Sequence, residues 1–428
     1  MRKSYRSVAL AATLAMTFPV LAEAAQPVTL NFFHASASTA NYLRPVVAKF
    51  MAANPDIKIN MMVPATNYSE AHQAVLRDIA AGTLPDVYLA SYSSLGSLVS
   101  ALKDNGKAVP LDPFMKGEGE GWVAANYGEA LLKLGQSEGT QYGIPFAAST
   151  PILYVNEDLV TKAGGSMQSF PDSWDGVADL AAKITAADPS VAGLNFSVGG
   201  LSDDWYWQMM VMSVGAPMLN AEQTAIGYND AKGLKALEMT QNMAVKSNMT
   251  VDTTPEPSQQ QFFAGKLGIV VGSPSDLSDF TKAIGGRFHL ATAKFPMADK
   301  EHGGLPTGGN AITILSQDPT TQKAAWTFVK YMTGPEAQAD VSKATGYMPT
   351  NKNSAASLAD FYAANPNYRT VFEQMSYAAP WFSYPRDTGA EVWKTQSALL
   401  DKLQRGQVTP KDALAEMAAD AERVLKAE

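Results

Sequence analysis

Cysteine is absent from this chain of 428 residues, and only 4 histidines occur in it. The lack of cysteine excludes disulfide bridges, thiolate nucleophiles, thiolate metal ligands and anchoring through a lipid-modified cysteine. The histidines are scattered and stand at no metal-ligand spacing. The phosphate-binding loop, the zinc-protease helix, the nucleophile elbow and the dinucleotide-binding loop are absent as well. The sequence therefore predicts a protein that is not an enzyme and that uses no cofactor or metal.

Charged residues are scarce, at 17% of the chain, and the acidic ones prevail, so that the formal net charge is −8 at pH 7. A surface of this charge repels nucleic acid and anionic membranes, and we expect neither as a partner. A small anionic ligand is not excluded, because groups in contact with it outweigh charges that salt screens over about 10 Å.

The apolar run near the N-terminus, residues 8–21, is shorter than the roughly 20 residues that a membrane-spanning helix needs. Arg2, Lys3 and Arg6 precede this run, and Ala22, Glu23 and Ala24 follow it. A basic start, an apolar middle and small residues at the end are typical of a secretory signal peptide. We predict cleavage after Ala24, with release of the protein into the periplasm of a double-membraned bacterium.

Strand and helix patterns alternate after the leader. Apolar runs at 28–33, 57–63 and 86–90 predict buried strands, whereas apolar residues at helical spacing predict helices over 41–53 and 69–81. This order predicts an open α/β sheet, in which ligands bind beyond the carboxyl ends of the strands.

The second half contains more helix, and it offers one candidate anion site. The strand predicted over 268–271 ends in small polar residues that include Ser273 and Ser275, and a helix follows. Free N–H groups and the helix dipole favour an anion at such a place. An ordinary capped turn explains the same pattern equally well.

The chain has no Ser/Gly-rich or charged linker, so its domains must be interwoven. We expect the chain to cross between them near 144–151, 290–296 and 346–349, which makes a hinge of several segments. The predicted lobes are 25–143 with 292–343, and 144–291 with 344–428.

Two clusters of aromatic residues have polar neighbours, and they lie at 203–207 and 380–384. Flat side chains such as Trp205, Trp207 and Trp381 stack on sugars or enclose a quaternary ammonium, although core packing explains at least half of them. Asp203 and Asp204 are a poor acid/base pair, because neighbouring side chains diverge.

The segment from Tyr142 to Leu159 joins a polar turn to a strand and a helix start, and it carries a family resemblance. The other motifs that carry it lie at 33–34, 52–55, 173–174, 265–273, 308–309 and 345–349. On these motifs the chain resembles the family-1 extracellular solute-binding proteins of ABC importers, and within them the branch that binds sn-glycerol-3-phosphate. The resemblance implies a two-lobed α/β fold of the type II periplasmic binding proteins.

The resemblance also implies a monomer that captures sn-glycerol-3-phosphate or a glycerophosphodiester between its lobes. Such a protein delivers its ligand to a permease and ATPase of the inner membrane. Arg386 would clamp the phosphate, although from the residues alone a surface pair with Asp387 is favoured. The other ligand contacts implied by the resemblance are Tyr68, Ser149, Ser273, the backbone N–H of Gly309, and Tyr347.

One position departs from the family pattern. Tyr92 stands where the relatives place an acidic residue that receives the glycerol hydroxyls. A phenol accepts such hydrogen bonds less strongly than a carboxylate. Another polyol phosphate, or a neutral sugar or oligosaccharide stacked on Trp205, Trp207 and Trp381, is therefore the alternative ligand. A secreted hydrolase is the remote alternative function.

Overall fold

The computed structural model describes residues 27–201 and 203–427. The predicted signal peptide, residues 1–24, lies outside them. Within the described ranges no helix combines the length and apolar character that crossing a bilayer requires.

The strands are short and spread over the whole chain. They are β1 (Val28–Phe33), β2 (Ile57–Met61), β3 (Val87–Ser91), β4 (Gln136–Ser137), β5 (Thr140–Gln141), β6 (Gly143–Ser149), β7 (Ile152–Asn156), β8 (Ala192–Asn195), β9 (Leu267–Gly272), β10 (Leu290–Lys294), β11 (Leu305–Ile314) and β12 (Ala378–Pro380).

Helices connect and cover these strands. They are α1 (Ala37–Ala53), α2 (Tyr68–Ala81), α3 (Tyr92–Asp104), α4 (Asp112–Gly117), α5 (Trp122–Asn126), α6 (Glu129–Leu132), α7 (Glu157–Lys162), α8 (Trp174–Ala187), α9 (Trp205–Ser213), α10 (Ala231–Lys246), α11 (Glu256–Phe263), α12 (Leu277–Ile284), α13 (Pro319–Met332), α14 (Pro335–Ala344), α15 (Ser354–Ala364), α16 (Thr370–Glu373), α17 (Gly389–Gln404) and α18 (Pro410–Lys426).

The first lobe is built on a sheet of order β12-β11-β3-β1-β2, in which β6 also pairs with β11. Strands β1, β2 and β3 are parallel, so their carboxyl ends share one edge, as the sequence predicts. The apolar residues of α1 lie against this sheet, and its Phe50 ring packs edge-on against Phe328 of α13, with ring centroids 4.9 Å apart. Burying each such side chain contributes roughly 1.5–3 kcal/mol.

The second lobe is built on a smaller sheet of order β10-β7-β9-β8. Strand β9 is buried along its length and pairs antiparallel with β7 and parallel with β8. Helices α8, α10, α17 and α18 pack together in this lobe.

The sheet pairings correct the predicted lobe boundaries. Strand β6 pairs with β11 in the first sheet, so the chain leaves this lobe at Thr150 and Pro151 and not at residue 144. Strand β10 pairs with β7 in the second sheet, so the return lies between Lys294 and Leu305. Strand β12 also joins the first sheet. The predicted crossing at 346–349 follows the end of α14.

Candidate ligand-binding cleft

A cavity of about 380 Å³ lies between the two lobes. The first lobe lines it with the N-terminal residues of α1 and α2, where the strands β1 and β2 have just ended. The second lobe contributes Asp203 and the turn between β9 and α12, with Ser275 and Asp276. Tyr347 of the third crossing completes the wall. Loops from both lobes and from the hinge thus converge on one space, as in a site that closes around its ligand.

A second, smaller cavity of about 110 Å³ adjoins the first. Tyr68 and Asp203 line both cavities and so stand at the boundary between them. The first lobe lines the small cavity with residues of α2 and α3. On the other side the wall comes from Asp204, the loop 382–384 and the first turns of α17. The cleft therefore has two chambers that meet at a tyrosine and a carboxylate.

Tyr68 is held in place by its helix and by the sheet beneath it. It is the first residue of α2, and Asn67 caps that helix by accepting a 2.9 Å hydrogen bond from the Glu70 N–H. The Tyr68 hydroxyl accepts a 3.0 Å hydrogen bond from the Nδ2 of Asn310, a buried residue of β11. Burial raises the pKa of Tyr68, so the phenol stays protonated and can donate to a ligand.

Tyr347 approaches the large cavity from the hinge. Its N–H donates a 3.0 Å hydrogen bond to the Thr345 hydroxyl, and its ring lies edge-on to Tyr42 with centroids 6.3 Å apart. Burial raises the pKa of Tyr347 well above its ordinary value. The large cavity thus has three tyrosine rings in its wall, those of Tyr42, Tyr68 and Tyr347.

Ser149 and Ser273 meet where the chain first crosses between lobes. Their hydroxyl oxygens are 3.5 Å apart. A side chain on Gly308 would place its Cβ 3.0 Å from the Ser149 hydroxyl and 3.0 Å from the Trp205 ring, so the glycine permits this close approach. The cluster adjoins the large cavity through Ser275, whose hydroxyl donates a 2.8 Å hydrogen bond to that of Ser273.

Gly309 follows in β11 with φ at +116°. A Cβ at this position would lie 2.1 Å from the Ala147 carbonyl oxygen, so that only glycine fits.

Three carboxylates face the cleft, those of Asp203, Asp204 and Asp276. The sequence analysis did not predict that they lie together there. Asp203 Oδ1 accepts from the Trp205 N–H at 3.2 Å, and Asp276 Oδ1 accepts from the Ser275 hydroxyl at 3.1 Å. Asp204 accepts from Gln208 Nε2 at 2.9 Å and from the Trp381 indole N–H at 3.2 Å. In the described ranges, no lysine or arginine nitrogen lies within 4 Å of these three carboxylates.

Burial shifts the protonation of all three carboxylates. Burial, helped by the Asp204 charge, raises the pKa of Asp203 to about 7. Burial also raises the pKa values of Asp204 and Asp276 to about 6. Lys282 also lines the large cavity, but its Nζ is 3.3 Å from Asp279 Oδ1. The described part of the chain holds no group of three or more His, Asp or Glu side chains arranged to bind a metal ion.

Residues 46–370 match the profile of the family described as bacterial extracellular solute-binding protein. The chain belongs to this family. A binding protein of Brucella abortus (strain 2308) is 26% identical to it over 401 residues, or 91% of each chain. The sn-glycerol-3-phosphate-binding periplasmic protein UgpB of Escherichia coli (strain K12) is 22% identical over 386 residues, or 86% of this chain and 85% of the relative.

Solved structures of extracellular solute-binding proteins share the fold. UgpB from Mycobacterium tuberculosis, in complex with glycerophosphocholine, superposes with a TM-score of 0.80 at 20% identity, covering 93% of this chain and 98% of that chain. The GacH receptor of Streptomyces glaucescens, solved without ligand and with acarbose, superposes with a TM-score of 0.77 at 19% identity, covering 94% and 99%. These matches confirm the predicted type II fold, the family, and the similarity to glycerol-3-phosphate-binding proteins. The chain is the solute-binding component of an ABC importer.

Of the residues predicted to contact ligand, the structure brings Tyr68 and Tyr347 into the cavity walls. Ser149, Ser273, Gly309 and Trp205 lie together at the first crossing. Trp205 is buried, and its indole N–H donates a 3.0 Å hydrogen bond to the Pro306 carbonyl. Trp381 lies behind it with ring centroids 6.0 Å apart.

Three other predicted contacts lie elsewhere in this structure. Trp207 is a core residue with no exposed surface, and its indole N–H donates to the Tyr228 hydroxyl at 3.0 Å. Tyr92, the first residue of α3, is buried, and its hydroxyl donates to the Ala147 carbonyl of β6 at 2.9 Å. Arg386 is exposed, and its guanidinium donates to the Leu425 carbonyl near the end of α18. The side chain of Asp387, its predicted surface partner, lies outside the described part.

At Ser273 the structure has a capped turn where the sequence offered a candidate anion site. The Ser273 hydroxyl accepts from the Ser275 N–H at 3.2 Å and so caps the turn itself. Asp276 lies in the same turn and already supplies a negative charge at the start of α12. The structure thus favours the capped turn over a pocket for a second anion.

Proposed function

We propose that this protein is exported to the periplasm and works there as a monomer that captures a hydroxyl-rich small molecule, a sugar or a polyol. Closure of the two lobes buries the ligand, and the closed form delivers it to a permease and ATPase of the inner membrane. We propose Tyr68, Tyr347, Asp203 and Asp276 as ligand contacts, joined by Ser149 and Ser273 at the crossing.

The observation that carries this proposal is the chemistry of the cleft wall. Ionised carboxylates accept strong hydrogen bonds from ligand hydroxyls, and serine and tyrosine hydroxyls can donate or accept. The rings of Tyr42, Tyr68 and Tyr347 offer flat apolar faces for the C–H surface of a sugar. A hydroxyl-rich ligand uses both kinds of group at once.

The same wall disfavours a phosphorylated ligand. Asp203, Asp204 and Asp276 lie where the phosphate of such a ligand would need cations, and like charges repel in a site shielded from water. Arg386 points to Leu425 and not to the cleft. A cleft built for phosphate needs an arginine fork or several free N–H groups.

A glycerophosphodiester is the second candidate ligand. It is favoured by the similarity to UgpB of Mycobacterium tuberculosis, which was solved with glycerophosphocholine, and by the position of Arg386, two residues after Tyr384 in the wall of the small cavity. For this candidate to hold, the Arg386 side chain must leave the Leu425 carbonyl and turn toward the cleft.

Titration calorimetry tests the two candidates. The mature protein is unfolded, washed free of bound ligand and refolded, and then titrated with maltose, a panel of neutral sugars and polyols, sn-glycerol-3-phosphate and glycerophosphocholine. We expect micromolar or tighter binding of a sugar or polyol, with much weaker binding of sn-glycerol-3-phosphate. Tight binding of a phosphorylated compound alone would establish the second candidate. Turnover of a glycerophosphodiester above background would point instead to a hydrolase.

A further inference from the structure

Given the proposed function, on which this inference rests, we propose that the ligand of the cleft carries an organic cation, a protonated amine or a quaternary ammonium, which binds against Asp203. A hydroxyl-rich body with one such group describes an amino sugar or a choline-like compound. Asp203 is the place for the cation because it lines both chambers of the cleft.

The hydrogen bonding of Asp203 leaves its charge uncompensated. Among the described residues, its carboxylate accepts one hydrogen bond, from the Trp205 N–H at 3.2 Å. Asp204 follows it in the chain, and Asp276 lines the same large cavity. A carboxylate removed from water without a cation costs free energy, and a cationic ligand supplies the missing partner on closure.

The side chains that face Asp203 from the surrounding elements do not supply a positive charge to balance its carboxylate. Lys282 is already balanced by Asp279, as their 3.3 Å contact shows. The other titratable side chains in the two walls are carboxylic acids, phenols and one imidazole, namely Asp204, Asp276, Tyr42, Tyr68, Tyr347, Tyr384 and His72. The cleft thus holds a surplus of negative charge that a neutral sugar leaves in place.

A second observation points to a ligand group in the small cavity. Tyr384 is only 6% exposed and lines that cavity, and its hydroxyl lies near Asp204 and Gln396 without forming a hydrogen bond of good geometry to either. Beside Tyr68, the buried Asn310 leaves its Oδ1 without a hydrogen-bond partner among the described residues. Buried polar atoms are nearly always paired, so a ligand group that binds beside Tyr68 can supply the donor that the Asn310 Oδ1 lacks.

The nature of the wall indicates an organic cation in place of a metal ion. The described residues offer no group of three ligating side chains with metal geometry. Three tyrosine rings surround the large cavity. Aromatic faces beside carboxylates are typical of sites that recognise amines and quaternary ammonium groups. The raised pKa of Asp203 agrees, since burial disfavours its charge until a cation is present.

Matched pairs of cationic and neutral probes test the inference on the refolded mature protein. The pairs are glucosamine with glucose, galactosamine with galactose, β-1,4-linked diglucosamine with cellobiose, and choline with its neutral isostere 3,3-dimethylbutan-1-ol. We expect the cationic member of at least one pair to bind about tenfold more tightly, or better, at about pH 7.5. The preference should shrink at about pH 5, where Asp203 is protonated.

Two variants separate the role of Asp203 from a general change of charge. Asp203→Asn should abolish the preference for the cationic member. Asp179→Asn removes an exposed acid on the surface of the same lobe, which pairs with Lys246 at 2.8 Å. This variant should retain the preference for the cationic member. Thermal unfolding of both variants checks that they fold.

The outcomes that contradict the inference can be told apart from those that contradict the proposed function. Equal or tighter binding of the neutral members, or an unchanged preference in Asp203→Asn, contradicts the cation while leaving a sugar or polyol receptor in place. Binding of phosphorylated compounds alone contradicts the proposed function itself. A complete lack of binding across the probes also contradicts the cation.

Discussion

The indole N–H of Trp381 donates a 3.2 Å hydrogen bond to Asp204, a buried carboxylate at the start of α9. The other oxygen of Asp204 accepts from Gln208 Nε2 at 2.9 Å. Gln208 in turn binds both backbone groups of Phe382, each at 3.0 Å. Two side chains of one helix therefore fix the loop that forms a wall of the small cavity.

Replacing Asp204 by Asn should loosen this loop. Gln208 cannot reverse its amide, because both ends already bind Phe382, so the new NH2 group must face either the Gln208 amide or the Trp381 indole, which are donors. We expect the free energy of unfolding in urea to fall by about 1–3 kcal/mol. Asp179→Asn, at an exposed surface pair, should change it by no more than about 1 kcal/mol. Equal losses in the two variants would contradict the network.

Tyr68 and Tyr88 allow a matched comparison of two buried phenols. Tyr68→Phe removes the oxygen that accepts from Asn310 Nδ2, leaving a buried donor without a partner, and should destabilise the protein by about 1–3 kcal/mol. The buried hydroxyl of Tyr88 has no hydrogen-bond partner in the part of the chain that the structure describes, so Tyr88→Phe should be neutral or stabilising. Only Tyr68→Phe should also weaken ligand binding, because Tyr88 lies in the sheet beneath the cleft. Urea unfolding and calorimetry measure both effects; the same loss of stability in Tyr88→Phe would refute the assignment.

The stability of the ligand-free protein should depend on pH through the cleft carboxylates. Burial raises the pKa of Asp203 to about 7 and those of Asp204 and Asp276 to about 6. The folded state therefore holds protons that the unfolded chain has released. Their contribution to stability is greatest below about pH 4 and is lost as the pH rises toward about 7.

Urea unfolding at a series of pH values measures this loss. In Asp203→Asn the part of the loss near neutral pH should be smaller, because the residue that titrates there is gone. Profiles of wild type and variant that run parallel over the whole range would show that Asp203 titrates normally in the folded state.

Arg386 decides between the two candidate ligands. With its guanidinium on the Leu425 carbonyl, Arg386→Ala should leave the Kd for a sugar, polyol or cationic ligand within about twofold of wild type. A residue that clamps a phosphate would instead cost about 2–5 kcal/mol on truncation. Calorimetry with the ligand found for the wild type provides the comparison, and a loss of the larger size would place Arg386 in the site.

Much of the fold was predictable because its signals are local. The apolar spacing of Leu43, Val46 and Phe50 predicts α1, and the short apolar run at 28–33 predicts β1, as observed. The predicted contacts Tyr68 and Tyr347 rest on resemblance and lie in the cleft wall. The lobe boundaries were less predictable, because β6 is assigned to the first lobe by its pairing with the distant strand β11.

The sequence by itself determined the order of helices and strands, the acidic balance and the lack of cysteine, since these depend on composition and short-range spacing. Only the tertiary structure decided that Trp207 packs in the core beside Tyr228 and that Arg386 turns to Leu425. It also brought Asp203, Asp204 and Asp276 to one cleft, where none of the three forms an ion pair with a lysine or arginine of the described residues. These outcomes depend on contacts between residues that are distant in the sequence. Burial and charge compensation arise from such tertiary contacts, and a local sequence pattern does not encode them.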